Sequence, residues 1–272
     1  MVPNGIRARW AEGKPVINGW LSMASSFAAE IMAAQGYDAL TVDLQHGFVG
    51  YEAGTTMLQA MRASGVTPMV RVPWLDPGDI MKALDAGAYG IICPMVNNRE
   101  EAARFVSYMR YPPDGVRSFG PTRVTFSAGA DYGQEANGEV LGFAMIETAE
   151  AMRNLDDIVS TPGLDGVYIG PADLTLGLTG RKYPTGFDRE EPEMVDAIQT
   201  VLAKAHGAGI RAGLHCGTPA YAAKAVGWGF DLVTISNDVR LLAAAAQTSV
   251  ATARKLIGET VADGKTPVSS SY

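Results

Sequence analysis

The sequence predicts a (β/α)₈ barrel formed by a single domain over residues 1–262, and three observations carry that prediction. Eight short apolar runs alternate with eight amphipathic stretches along 272 residues, the pattern of repeated βα units. Most runs are continuous rather than alternating in polarity, as parallel strands buried on both faces are. After the first run, where a doubly wound nucleotide-binding sheet carries a glycine-rich loop, the chain reads Ser22-Met23-Ala24-Ser25-Ser26-Phe27 and lacks that fingerprint.

Taken in order, the strand-like runs are Ile17–Met23, Ala39–Leu44, Pro68–Val72, Gly90–Val96, Gly142–Glu147, Gly166–Gly170, Arg211–Cys216 and Asp231–Ser236. Helical periodicity fills the intervals at Ser25–Gln35, Tyr51–Ser64, Asp79–Ala86, Arg99–Arg110, Glu150–Ser160, Glu193–Ala208 and Pro219–Val226, and a final stretch, Val239–Ile257, follows the eighth strand. Asn98 precedes Arg-Glu-Glu as an N-cap, and Gly36, Gly65, Gly87, Gly207 and Gly227 stand where helices stop. Two long connections interrupt the rhythm. Tyr111–Val140 is polar, glycine-rich and carries Arg117 and Arg123, and Leu174–Pro192 follows the sixth strand; loops of such length are usually functional or mobile. The segment Asp263–Tyr272 reads as a flexible C-terminal tail.

Composition narrows the class of function. A formal net charge of −7 argues against a nucleic-acid or anionic-membrane surface. The two cysteines, Cys93 and Cys216, lie inside apolar runs and read as buried thiols of a reducing compartment rather than a disulfide scaffold. There is no apolar signal region at Met1–Arg7, and no run reaches the roughly 18 apolar residues of a membrane helix. The expectation is a soluble cytoplasmic protein.

Chemistry in such barrels sits at the carboxyl ends of the strands. The second run continues Asp43-Leu44-Gln45-His46, the third ends Val70-Arg71-Val72, the fifth Met145-Ile146-Glu147, and the sixth Gly170-Pro171-Ala172-Asp173. One mouth thus collects a base candidate, a cation and two hard carboxylates. Each has a structural alternative: Glu147 as an acid at a helix N-terminus, Asp173 as a cap, Arg71 as an ion-pair partner and His46 as a core histidine satisfied by Asp43. His206 falls in the last turn of a helix, and His215 ends the seventh run at the mouth with no role assigned.

Glu147 and Asp173 are the candidate metal pair. Two carboxylates leave most of an octahedral shell open for water and substrate, which suits Mg²⁺ or Mn²⁺, whereas zinc would recruit histidine or cysteine. Such a cation can chelate a 2-oxo acid and hold the enolate formed when a bond at C3 breaks. Arg71 adds a second cation beside that oxyanion, and His46, polarised by a carboxylate, moves protons near neutral pH. None of the seven lysines lies in or at the end of a strand, so an imine-forming aldolase is disfavoured.

At these residues the sequence resembles the HpcH/HpaI aldolase family, the metal-dependent class II pyruvate aldolases. The resemblance spans about Asn18 to Ile257 and is most specific in Val42-Asp43-Leu44-Gln45-His46-Gly47, Val70-Arg71-Val72-Pro73-Trp74, Ile146-Glu147-Thr148 and Val167-Tyr168-Ile169-Gly170-Pro171-Ala172-Asp173-Leu174. It implies that Glu147 and Asp173 hold a divalent ion (Mg²⁺ or Mn²⁺, with Co²⁺ a further candidate) and that Arg71 contacts the pyruvate oxygen. It implies that His46 acts through a water as base, oriented by Asp43, while Asp85 reaches the histidine cluster from a neighbouring subunit. The amides of Ala172 and Asp173 receive the carboxylate, and Trp20 and Leu214 line the pocket. It further implies a homohexamer that exchanges the C-terminal helix. Met145 departs from the glutamine common at its position.

The expected activity is reversible cleavage of a 4-hydroxy-2-oxo acid into pyruvate, or a related acid such as hydroxypyruvate, and an aldehyde. Two alternatives remain: a citrate-lyase-like enzyme acting on a CoA-linked acid, which would need a basic patch for the CoA phosphates, and a non-catalytic oxo-acid-binding barrel, which would have no need of His46.

Overall fold

The computed structural model describes residues 1–258; the proposed tail 263–272 and the last residues of the proposed domain lie outside that range. Eight parallel strands form a closed barrel in sequence order: β1 Val16–Leu21, β2 Ala39–Asp43, β3 Thr67–Arg71, β4 Gly90–Cys93, β5 Leu141–Ile146, β6 Gly166–Ile169, β7 Arg211–Cys216 and β8 Leu232–Ile235. Closure comes from the pairing of β1 with β8, with Ile17 opposite Val233. All eight expected strands are present, each within two or three residues at its ends.

Period-two alternation divides the strand side chains into two cores. Outward residues such as Val42, Val70, Ile91, Ala144, Val167 and Leu214 pack under the surrounding helices. Inward residues, among them Trp20, Met69, Ile92, Phe143, Met145 and Tyr168, fill the barrel. Its floor is a helix the periodicity did not reveal, Gly5–Ala11, too short and with too few apolar positions to signal itself. Its Ile6 and Trp10 plug the bottom, and Trp10 donates Nε1–H to the Asp231 carbonyl at 3.0 Å.

Several expectations need correction. Glu150–Ser160 is two short helices, Ala149–Arg153 and Leu155–Val159, broken at Asn154, whose side-chain amide donates to the Asn97 carbonyl. Two of the helix-stopping glycines are displaced: Gly209 (φ 77°) and Gly229 (φ 111°) take the left-handed conformation, not Gly207 and Gly227. The Tyr111–Val140 connection is ordered by helices Val124–Ala128 and Tyr132–Glu139. Arg117, 3% exposed, donates to Asp85 Oδ1 at 2.6 Å and to the Tyr132 hydroxyl at 3.0 Å. Arg123 donates to the Ala86 carbonyl. Both arginines therefore fix the loop. The expected cap at Asn98 is present, accepting from the Glu101 N–H at 2.9 Å. Among the described residues no helix is long and apolar enough to cross a membrane.

Candidate active site

Polar residues gather at the carboxyl end of the barrel because the inward face of each strand ends there. A cavity of about 180 Å³ opens at this mouth, lined by Trp20, Asp43, His46, Arg71, Met145, Glu147, Ala172, Asp173 and His215, with Ser22, Phe48, Gly170, Phe187, Asn237 and Val239 completing the wall. Met145 and Glu147, two apart on β5 and its extension, share the inward face as alternation requires.

Asp43 and Arg71 are directly paired across β2 and β3. Arg71 donates Nε–H to Asp43 Oδ1 at 2.8 Å and Nη2–H to Oδ2 at 2.6 Å, a bidentate fork that fixes the guanidinium plane. Trp20 Nε1–H donates to Oδ2 at 3.1 Å, and the backbone N–H groups of Gln45 and His46 donate to Oδ1. Burial raises the Asp43 carboxyl, but the Arg71 charge and these donors outweigh it and hold it below the usual carboxylate range. Asp43 thus orients Arg71 through its side chain and His46 through its backbone. The structural reading of Arg71 as an ion-pair partner is met, and the same residue faces the cavity.

His46 is exposed at the rim of the mouth. Partial loss of water and the Arg71 charge push its imidazole below the ordinary histidine value, against the carboxylates of Asp43 and Asp173, which favours the neutral ring that a base needs.

Glu147 is 2% exposed and just follows β5. Its Oε1 accepts from the Met95 N–H at 2.8 Å. Met95 makes that bond from φ 56°, a left-handed conformation that costs a non-glycine residue about 1–2 kcal/mol. Burial pushes the Glu147 carboxyl up to about 7, opposed by the Met95 N–H and reinforced by the charge of Asp173. A Cβ at Gly170 would lie 2.5 Å from Glu147 Oε2, so glycine there leaves this oxygen its room. Asp173 sits in the first turn of helix Pro171–Thr179. That helix starts its internal bonding at the Leu174 N–H, and Pro171 has no N–H, so the amides of Ala172 and Asp173 lack an intrahelical acceptor at the mouth.

No group of three or more His, Cys, Asp and Glu side chains positioned for a metal occurs among the described residues. The buried Glu147 and nearby Asp173 nonetheless fit a hard divalent ion that keeps its other positions for water and substrate. Two close carboxylates, one of them deeply buried, repel each other until a cation joins them.

The structure brings together Trp20, Asp43, His46, Arg71, Glu147, Ala172 and Asp173; Leu214 is left out of the wall, and Asp85, expected to act in a neighbouring subunit, stands apart from this chain's cavity. Asp85 ends helix Pro77–Asp85, paired with Arg117, and does not line this chain's cavity. Leu214 is fully buried in the layer between barrel and helices; on β7 the inward residue is its neighbour His215, so the wall position belongs to His215. Phe187 and Asn237 were missed. Phe187 lies in the long Leu174–Pro192 connection, where no periodicity marks it, while Asn237 follows β8 and caps the last helix, accepting from the Arg240 N–H at 2.8 Å, a cap signal that was readable.

A barrel whose mouth joins a carboxylate pair, one member deeply buried, to an oriented arginine and a histidine held below its ordinary pKa is equipped to stabilise negative charge on an oxo acid while moving a proton. The chain belongs to the HpcH/HpaI aldolase/citrate lyase family, matched over residues 17–245. It is 46% identical over 253 residues to the hydroxypyruvate/pyruvate aldolase of Rhizorhabdus wittichii, covering 93% of this chain and all of the relative. It is 35% identical to the 4-hydroxy-2-oxo-heptane-1,7-dioate aldolase of Shigella flexneri, covering 91% and 92% of the two chains. A crystal structure of a family member from Burkholderia cenocepacia superposes with a TM-score of 0.84 at 32% identity, over 92% of this chain and 99% of the other. The protein is a carbon–carbon lyase of the aldolase class, from a family that uses a divalent metal.

Proposed function

We propose that the protein reversibly cleaves a 4-hydroxy-2-oxo acid into pyruvate or hydroxypyruvate and an aldehyde. The convergence of Glu147, Asp173, the Asp43-held Arg71 and His46 on one small cavity carries this reading. The amides of Ala172 and Asp173, at a helix N-terminus, receive the substrate carboxylate. Arg71 faces the 2-oxo oxygen and stabilises the charge that develops there, which costs no reorganisation because Asp43 already fixes its plane. His46, acting through a water, takes the C4 hydroxyl proton as the C3–C4 bond breaks; the aldehyde leaves, the bonding pair passes into the enolate, and a proton delivered to C3 from the same water gives the free oxo acid. Glu147 and Asp173 would hold Mg²⁺ or Mn²⁺, with Co²⁺ a further candidate; when bound, the ion supplies a Lewis acid for the oxo acid. Among the described residues lining the cavity, Arg71 is the sole lysine or arginine, which favours a small oxo acid over a CoA-linked substrate and its phosphates.

A homo-oligomer, with Asp85 serving a neighbouring subunit, belongs to the same reading. The last helix, Asp238–Leu256, buries only Asp238 and leaves Leu242 and Val250 more than half exposed, a surface suited to a second copy. Buried free Cys93 and Cys216 favour the cytoplasm.

The test is the loss of the pyruvate methyl signal by NMR in D₂O. Exchange that EDTA abolishes and Mg²⁺ or Mn²⁺ restores supports the reading. Absence of exchange with metal and aldehyde both supplied removes pyruvate as the donor.

A further inference from the structure

The cavity holds a second histidine that the proposed reaction does not use. His215 is 7% exposed, and its ring packs edge-on to Trp20, with centroids 4.7 Å apart, and tilted against Phe187 at 4.4 Å. Its Nδ1 lies 3.1 Å from the Tyr168 hydroxyl, which lies 2.6 Å from Thr234 Oγ1. Tyr168 and Thr234 are fully buried inside the barrel, so this edge of the imidazole is fixed from within the fold. With Nδ1 engaged, Nε2 is the ring's remaining polar atom, and the ring lines the cavity.

Trp20 connects this wall to the reacting end. The Arg71 guanidinium lies over the Trp20 ring at 4.8 Å, and Trp20 spends its one N–H on Asp43. His215 therefore borders the arginine, between two aromatic neighbours with no donor left to offer. Burial and the Arg71 charge push its imidazole down to about 3, so it stays neutral. A neutral imidazole nitrogen pairs with a hydroxyl in either tautomer, since a hydroxyl both donates and accepts.

We propose that His215 is a specificity-determining residue that hydrogen-bonds a hydroxyl on the carbon chain of the substrate. The proposal rests on the aldolase reading above. The hydroxyl has two sources, the C3 hydroxyl of a hydroxylated oxo-acid donor and the hydroxyl of a hydroxyaldehyde acceptor.

The test compares the wild-type protein, loaded with Mg²⁺ or Mn²⁺, with His215→Leu and His215→Gln. Leucine preserves apolar packing against Trp20 and Phe187, and the Tyr168 hydroxyl keeps its Thr234 partner, so the variant is expected to fold; circular dichroism and thermal melting check this. The donor arm measures kcat/KM for solvent exchange of hydroxypyruvate against pyruvate, and the acceptor arm measures addition to glycolaldehyde against acetaldehyde. In one arm His215→Leu should lower the hydroxylated-to-unhydroxylated ratio by about tenfold, the worth of one hydrogen bond, and His215→Gln should recover much of it. The arm that responds identifies the source. Unchanged ratios in both arms, from a variant that still exchanges pyruvate, overturn the role of His215 and leave the aldolase reading intact. Wild-type protein that neither exchanges nor, by calorimetry, binds either oxo acid overturns both together.

Discussion

Arg71 and Asp43 face each other across adjacent strands and are joined by two bonds of 2.8 and 2.6 Å, both residues at most 6% exposed. Such a pair is strongly interdependent, because removing one charge strands the other in a low-dielectric site. Asp43→Asn should therefore destabilise the fold by about 3–5 kcal/mol, read as a lower urea midpoint, and should also lower kcat/KM because the guanidinium loses its fixed plane. Arg71→Lys keeps the charge but not the fork, so it should cost activity more than stability. A variant Asp43→Asn with unaltered unfolding would show that the pair contributes nothing to the fold.

The same pair sets a pH limit on stability. Asp43 is held below its ordinary carboxylate value of 3.8, so its contribution is present above that pH and is lost as the pH falls through the lower folded value. Acid unfolding of the wild type should begin below about pH 4, and Asp43→Asn should flatten that part of the curve. Circular dichroism between pH 2 and 6 distinguishes the two profiles.

His46→Ala should lower turnover by about 10²–10⁴-fold while leaving oxo-acid binding in place. In the wild type, the acidic limb of the kcat/KM profile should lie below the ordinary histidine value of 6.5, because desolvation and Arg71 both disfavour the charged ring. A cation held by Glu147 and Asp173 would push the limb the same way. A limb above 6.5 in the metal-loaded enzyme would contradict the assignment of His46 as base.

The barrel was legible because eight buried parallel strands leave eight continuous apolar runs, and the reactive residues were legible because strand ends are where this architecture exposes polar groups. What escaped depended on spatial neighbours or on one-residue phase. Leu214 and His215 differ by a single step along β7, and that step exchanges the helix layer for the cavity; a short run with no alternating polarity does not reveal its phase. The ordering of Tyr111–Val140 was invisible because it rests on Arg117 meeting Asp85 and Tyr132, contacts that no local pattern encodes. The Gly5–Ala11 floor likewise acquires its purpose only once the barrel exists above it.

Metal removal should expose the cost of the carboxylate pair. Glu147 is almost fully buried beside Asp173 and its carboxyl is pushed up to about 7, so the stripped protein holds an unfavourable buried charge at pH 8. EDTA should lower the melting temperature, and Mn²⁺ should restore it. Glu147→Gln should make the stripped protein more stable than stripped wild type, by roughly 1–3 kcal/mol, and should abolish both the Mn²⁺ response and turnover. A Glu147→Gln protein that still responds to Mn²⁺ would move the metal site elsewhere.

Gly170 offers a finer test, because its backbone makes no demand for glycine: φ is −97°, open to any residue. Only space is at stake, since an added Cβ would meet Glu147 Oε2 at 2.5 Å and Met145 Cε at 2.9 Å. The Met145 methyl is the far end of a flexible chain and can turn away. Glu147 is held on its other side by the Met95 N–H, so its carboxylate must be displaced. Gly170→Ala should therefore weaken divalent-metal affinity by at least about tenfold, the effect of losing ligand geometry and support, while the urea midpoint changes little. Calorimetric titration of Mn²⁺ into stripped wild type and variant measures the difference. Equal affinities would mean that Glu147 Oε2 is not a ligand, leaving Oε1 and Asp173 to account for any metal bound.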